Sequence, residues 1–472
     1  MSDAARAPLT DAIASARGIN FELDTEMLII GAGACGLSAA LTSADAGVAA
    51  LVLERDASPS GSTSLSSGMI PAAGTAAQAR AQVHDSPTLM AQDIQAKAKG
   101  EAPQQLVAAL ASASGPCVDW LAETHGIELE LVEGFLYPGH SVARMHAPSS
   151  RTGLELEAQL LNAFANCEAE LVTSAKVTTL FADTEKRVVG AECVRPDGRS
   201  ERIGCKRLLL ACNGFGGNPT MVAAHIPEMA DAQYFGHRGN QGDAVRWGAA
   251  LGGTTGAMGA YQGHGSVATP HQILITWALM MEGGVQINAR GERFSNEHDG
   301  YSEQAVRVLA QPGRMAWNVF DARLHALGMQ FEDYRAACAQ GALKTAQTSA
   351  ELAQLLDVPA QPLEHSINAT HGASECQFGR SFVAKPGLEP PYHAIQVTGA
   401  LFHTQGGLRV DAHARVLSAN GTALPNLYAG GGAACGVSGD HVWGYLSGNG
   451  LLSAVTLGRL AALHRNASAA GG

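Results

Sequence analysis

Charge is scarce in this chain: only 16% of its 472 residues are charged, and lysine and arginine form no cluster. With a net charge of −12, that excludes nucleic acid or an anionic membrane surface as a natural partner. Nine cysteines are scattered at positions 35, 117, 167, 193, 205, 212, 338, 376 and 435 with no CxxC and no CxxCH. Zinc, iron–sulfur clusters and c-type haem are therefore not expected, and reduced structural thiols are. No apolar run approaches the roughly 18 residues that a membrane-spanning helix needs. The first 24 residues lack a basic start followed by a long apolar stretch, so they do not read as a signal peptide, and cytoplasm is the expected location. No internal repeat is visible.

Glycine, by contrast, is plentiful, with 55 residues in a chain that is 46% apolar. That is a globular composition with many close backbone approaches. The length exceeds what one hydrophobic core usually holds, so two domains are expected.

The stretch Thr25 to Glu54 carries the first chemistry. Met27 to Ile30 form an apolar run suited to a buried strand, followed by Gly31, Gly33 and Gly36 in GxGxxG spacing. The first glycine permits a tight turn, the second lets backbone approach a pyrophosphate, and the third allows close packing of a helix over Leu37 to Ala46. A second strand, Ala49 to Leu53, ends in Glu54, 18 residues past Gly36, where a carboxylate can accept hydrogen bonds from ribose hydroxyls. The pattern predicts a bound dinucleotide without separating FAD from NAD.

After residues 1–22, a lead-in, the chain reads as an α/β protein. A Rossmann-like nucleotide domain occupies 23–255 and resumes at 403–472, and an α+β capping or substrate domain is inserted at 256–402. Gly61 to Thr75 is a loop rich in glycine and hydroxyls, followed by helical patterning over Leu89 to Lys99 and Gln104 to His125. Glu170 to Phe181, Val188 to Val194 and Arg202 to Leu210 alternate like strands of an antiparallel meander. The last of these runs into the turn Asn213-Gly214-Phe215-Gly216-Gly217. Helical stretches at Ser302 to Leu309 and Phe331 to Cys338 belong to the insert. Strand, glycine turn and helix return at Gly407 to Val410, Asn426 to Gly432 and Gly448 to Leu463.

In this order the motifs resemble the flavoprotein family of soluble fumarate reductases, 3-ketosteroid Δ1-dehydrogenases and tricarballylate dehydrogenases. They are GAGACG with Glu54, GSTSLSSG, Arg144-Met145-His146, ACNGFGGN, GNQGDA, GERFSNE, FHTQGGLRVD, LPNLYAGG and GYLSGNGLL. The resemblance implies FAD. The covalent members' loop histidine is replaced here by Ser62, Thr63, Ser64, Ser66 and Ser67, which implies non-covalent attachment. The expected FAD contacts are Gly31, Gly33, Ala34, Cys35, Gly36, Glu54, Arg55, Ser62, Thr63, Ser66, Ser67, Gly68, Val177, Asn213, Gly214, Asp243, Gly431, Gly432, Asn449, Gly450 and Leu451. Gly432 stands where many relatives hold an acid. With one dinucleotide fingerprint and no nicotinamide domain, electrons are expected to pass to an external acceptor: oxygen, a quinone or a carrier protein.

Fumarate reductases of this family use a catalytic arginine, an arginine–glutamate relay and a carboxylate-clamping arginine. Counted from Arg293-Phe294-Ser295-Asn296-Glu297, the catalytic position holds Tyr301 and the relay positions hold Trp277 and Met280; the clamp matches Tyr445. Phenols replace guanidinium at both key places, and a phenol carries no positive charge. Tyrosine at position 301 resembles the ketosteroid enzymes, where it removes the proton α to a ketone. Desaturation there needs a base on one side and flavin N5 on the other to take the β-hydride. Tyr445 and the Gly448 backbone N–H would polarise the carbonyl as an oxyanion hole does. Tyr445, in an aromatic-rich turn, also reads as a packing residue, and Tyr301 as a helix-start residue. His403 and His264 match family histidines that hold a substrate carboxylate or carbonyl.

The combination implies a dehydrogenase that introduces a C=C bond next to the carbonyl of a small, cyclic keto acid such as an oxocyclohexane carboxylate, or of a ketone. The alternatives are a tricarballylate-type polycarboxylate dehydrogenase, a ketosteroid dehydrogenase, an enoate reductase running the other way, and a flavoprotein-like chain whose FAD is structural or absent.

Overall fold

The computed structural model describes residues 13–372 and 376–464. Residues 1–12 of the lead-in and 465–472 of the last segment lie outside the described residues. Two sheets organise the chain. The first has nine strands, in the order Ile13–Ser15, Lys176–Ala182, Val188–Val194, Ser200–Leu210, Leu23–Ile30, Ala50–Leu53 and Glu170–Val172, with Ala423–Ala429 and Arg415–Leu417 joining beside Ser200–Leu210. At its centre Met27 to Ile30 are buried and pair in parallel with Ala50 to Leu53 on one side and with Arg207 to Leu210 on the other. A strand covered on both faces reads as an unbroken apolar run, which is why this one was legible.

Three local expectations are corrected. The first helix is Ala34–Asp45, beginning three residues before Leu37, because the Gly31-Ala32-Gly33 turn is complete at Gly33. The segment 170–181 is two strands: Glu170–Val172 pairs in parallel with Leu51 to Leu53, and Lys176–Ala182 opens the meander. The break has a cause, since Ser174 adopts φ +51 and the amides of Ser174 and Ala175 donate to the carbonyls of Asp56 and Glu54. It draws Val177 toward Glu54. Within the lead-in, Ile13–Ser15 is a strand beside Leu180 to Ala182.

The second sheet is drawn from residues 233–404. Its spine is the thirteen-residue strand Tyr392–Thr404, flanked by Tyr261–Ala268 and Met315–Asp321. The helix Tyr301–Leu309 lies against this sheet over glycines: a Cβ on Gly263 would stand 2.8 Å from the Ala305 Cβ, and one on Gly399 would stand 2.3 Å from the Ala305 carbonyl oxygen. Gly300, at φ +140, turns the chain into the helix in a conformation that side chains resist, so Tyr301 becomes its first residue. Among the described residues, no helix is long and apolar enough to cross a membrane.

Candidate active site

One cleft runs from Glu54 and Val177 past the first glycine turn to Tyr301 and Tyr445. Its first half is made of backbone. Gly31 has φ +106, and a Cβ there would stand 2.6 Å from the Ala211 carbonyl oxygen; a Cβ on Gly36 would stand 1.9 Å from the Gly31 carbonyl oxygen. The Glu54 carboxylate accepts from the amides of Ala32 and Asp56, both at 3.0 Å. Arg55 Nη1 donates to the Gly239 carbonyl at 2.8 Å. Thr63 Oγ1 accepts from the Ala34 amide at 2.9 Å, at the start of the first helix. Ser62 Oγ accepts from the side-chain amides of Asn213 (2.7 Å) and Asn240 (3.3 Å).

Seventeen of the expected cofactor positions line this cleft: Gly31, Gly33, Ala34, Cys35, Glu54, Arg55, Ser62, Thr63, Ser66, Ser67, Val177, Asn213, Asp243, Gly431, Gly432, Gly450 and Leu451. Gly36, Gly68, Gly214 and Asn449 stand behind the wall. The three glycines do so for packing: beside Gly36, a Cβ on Gly68 would meet the Thr152 carbonyl at 2.5 Å and one on Gly214 would meet Thr404 Oγ1 at 2.1 Å. Asp243 is tied to Arg246 in an ion pair. The glycine at 432 has a steric reason, because a Cβ there would stand 2.1 Å from Asn213 Oδ1. No acid fits.

The second half is made of side chains. Tyr301 and Tyr445 are 7% and 5% exposed, with ring centroids 6.2 Å apart. The Tyr301 hydroxyl and the amides of Gly448 and Gly450 lie toward the Tyr445 oxygen and favour its anion, although burial outweighs them and pushes the phenol's pKa up. Burial and the neighbouring Tyr445 push Tyr301 well above the usual phenol value, against a hydrogen bond from Ser447. His264 stacks on Tyr301 at 4.7 Å and accepts the Ser266 amide at Nδ1; burial lowers its pKa to about 3. His403 meets the Tyr445 ring edge-on at 5.5 Å, and burial lowers it to about 4. Both imidazoles are therefore neutral near pH 7.

The side chains at the two relay positions are buried, Trp277 at 1% and Met280 at 0%. Behind them, Glu297 accepts from Arg293 (2.6 Å) and Arg380 (2.8 Å), while Arg380 also donates to the carbonyls of Gly284 and Met280. Burial would raise the Glu297 carboxyl, but the two guanidiniums outweigh it and hold it at about 2. This ion cluster buttresses the turn that leads into Tyr301. Arg144, from another motif, is paired with Asp85 and Asp93, and His146 with Thr75. Sequence reasoning missed Tyr137, Arg151, Gln262, Thr276, Phe331 and Ser447, all on the cleft wall. Tyr137 and Arg151 sit in loops without a motif, so only the fold brings them in.

The glycine cradle and the acid at the strand end fit a bound FAD. The FAD binding domain family matches residues 26–451. A probable fumarate reductase, Ifc3, from Shewanella frigidimarina is 27% identical over 443 residues, covering 93% of this chain and 74% of that protein. The open conformation of a flavocytochrome c3 fumarate reductase superposes with TM-score 0.77 at 26% identity, covering 95% of this chain and 78% of that one. A 3-ketosteroid-Δ4-(5α)-dehydrogenase from Rhodococcus jostii RHA1 shares the fold, with TM-score 0.74 at 22% identity over 96% of this chain and 99% of that one. The chain belongs to the FAD binding domain family, and it is an FAD-dependent oxidoreductase.

Proposed function

We propose that this protein is a desaturase that introduces a C=C bond α,β to the carbonyl of a small, cyclic keto acid or ketone. One observation carries the reading: two buried tyrosines converge where fumarate reductases of the resembling family hold arginines, and neutral imidazoles flank them. Residues 23–255 and 403–472 then serve as the FAD-binding unit, and 256–402 as the cap that carries Tyr301. FAD, when bound without a covalent link, supplies the two-electron acceptor for the hydride lost from Cβ.

Tyr301 takes the α-proton. Its phenol is a weak base until it ionises, and the Ser447 hydroxyl is a donor able to hold its anion. Tyr445 and the Gly448 amide face the carbonyl oxygen, where charge develops as the enolate forms. Because the two phenols are in contact, ionising one raises the other, so the pair carries at most one negative charge. His264 and His403 wall the substrate and offer hydrogen bonds without positive charge. In sum the substrate loses one proton and one hydride, and the electrons leave to an external acceptor.

Anaerobic mixing with cyclic keto acids, ketosteroids and tricarboxylates tests this. Bleaching of the flavin by a cyclic keto acid or ketone is expected, with Tyr301→Phe remaining yellow and slowing bleaching by about 10²–10⁴-fold. Unchanged bleaching by Tyr301→Phe removes the base assignment. The likeness to a probable fumarate reductase favours one second reading, reduction of an enoate. Rapid re-oxidation of the reduced enzyme by fumarate, with no bleaching by ketones, establishes it instead.

A further inference from the structure

Both arginine positions of the family are phenols and both histidines are neutral, which leaves the carboxylate of a keto acid without a cation at the places where relatives hold one. Another guanidinium nevertheless lines the cleft at its aromatic end, that of Arg151. The other arginine and the lysine on the described wall, Arg55 and Lys176, stand beside Glu54 and Val177 at the far end.

Arg151 closes the turn Pro148 to Arg151, its amide donating to the Pro148 carbonyl at 2.9 Å, and it adopts φ +57. Side chains rarely adopt that left-handed backbone. Its guanidinium lies 4.9 Å over the Phe331 ring, and its hydrogen bond to Gln330 Oε1, at 3.5 Å, is at the outer limit of such a bond. Among the described residues it forms no ion pair. A planar fork of five donors therefore lies along the cleft largely unengaged. Arg151 also acts on Tyr137 through its charge, and Tyr137 on Tyr301, so the cation and the expected base border one pocket. Glu332 and Asp333 line the same end. Their negative charge opposes an anion at this end, and Arg151 is the cation there that offsets it.

We propose that Arg151 is the anion-recognising residue of the substrate site, receiving a carboxylate in bidentate fashion while the substrate's carbonyl faces Tyr445. The carbonyl half of this statement rests on the desaturase reading; the carboxylate half does not. Titration of the oxidised, FAD-loaded enzyme tests it through the shift in flavin absorbance, with no turnover needed. The probes are cyclohexanecarboxylate and cyclohexanecarboxamide, alike in shape and different in charge. The wild type is expected to bind the carboxylate about tenfold more tightly than the amide, as a charged hydrogen-bonded pair implies, and Arg151→Met to bring that ratio to about one. Arg151→Lys, which keeps charge and loses the fork, should fall between them.

A wild type that binds the two probes alike overturns the proposal whatever the variants do. So does a carboxylate preference that survives Arg151→Met and disappears in His403→Gln. Carboxylate preference through Arg151 without bleaching by any ketone leaves this assignment standing and removes the desaturase reading; bleaching by neutral ketones without carboxylate preference does the reverse.

Discussion

The two ends of the cleft are built on opposite plans. Near Glu54 the wall is backbone, supplied mostly by the contiguous stretch from Ile30 to Ser67. Near Tyr301 it is side chain, gathered from Tyr137, Arg151, His264, Trp277, Tyr301, His403 and Tyr445, positions spread over more than 300 residues. A ligand held by peptide groups constrains where side chains must be missing. A ligand held by side chains constrains where the fold must deliver them.

The largest expected effect tests the first plan. Gly36→Ala places a Cβ 1.9 Å from the Gly31 carbonyl oxygen, a rigid backbone atom, so either the turn or the helix must move. Loss of flavin and of the folded protein is expected, read by absorbance near 450 nm and by thermal melting. A yellow protein with wild-type melting would mean that glycine spacing is not what shapes this end.

That contrast explains what the sequence made legible. Gly31, Gly33, Gly36 and Glu54 announce themselves because absence of side chains at fixed spacing is itself a pattern, and Met27 to Ile30 because a doubly covered strand is uniformly apolar. Tyr301 was found only by counting from the Arg293 to Glu297 anchor, whose ions turn out to support it. Arg151 and Tyr137 had no anchor to count from. The split of segment 170–181 was hidden because Ser174 at φ +51 leaves no mark in the alternation of its neighbours.

The next largest effects concern that support. Glu297→Gln leaves two buried guanidiniums without their anion, and a loss of about 3–5 kcal/mol is expected in denaturant titration. The pH dependence has a definite sign. Glu297 titrates at about 2 in the folded protein, below an ordinary carboxyl, so its contribution is present above the ordinary value of 4.5 and is lost as pH falls toward 2. Slightly smaller is Tyr445→Phe, which is expected to slow flavin bleaching about 10²–10³-fold with the flavin retained, as the loss of one oxyanion donor does. Equal bleaching by wild type and Tyr445→Phe would reduce this phenol to packing, and the side-chain plan to Tyr301 alone.

The smallest effect separates the two ends within one protein. His264 and His403 belong to the aromatic end, and burial holds them at about 3 and about 4. The unfolded chain binds protons at both once the pH drops below the ordinary 6.5, while the folded chain does not. Stability from these residues is therefore complete above about 6.5 and declines as pH falls, down to about 4 for His403 and about 3 for His264. Exposure of the aromatic end should then precede release of flavin. Trp277, stacked edge-on against His264 with ring centroids 5.7 Å apart, is the reporter. Its fluorescence is expected to change in mild acid before flavin fluorescence rises, and His264→Gln is expected to flatten the dependence of stability on pH between 6.5 and 4. Simultaneous loss of both signals, with the same slope in His264→Gln, would show that the backbone-built and side-chain-built ends unfold as one.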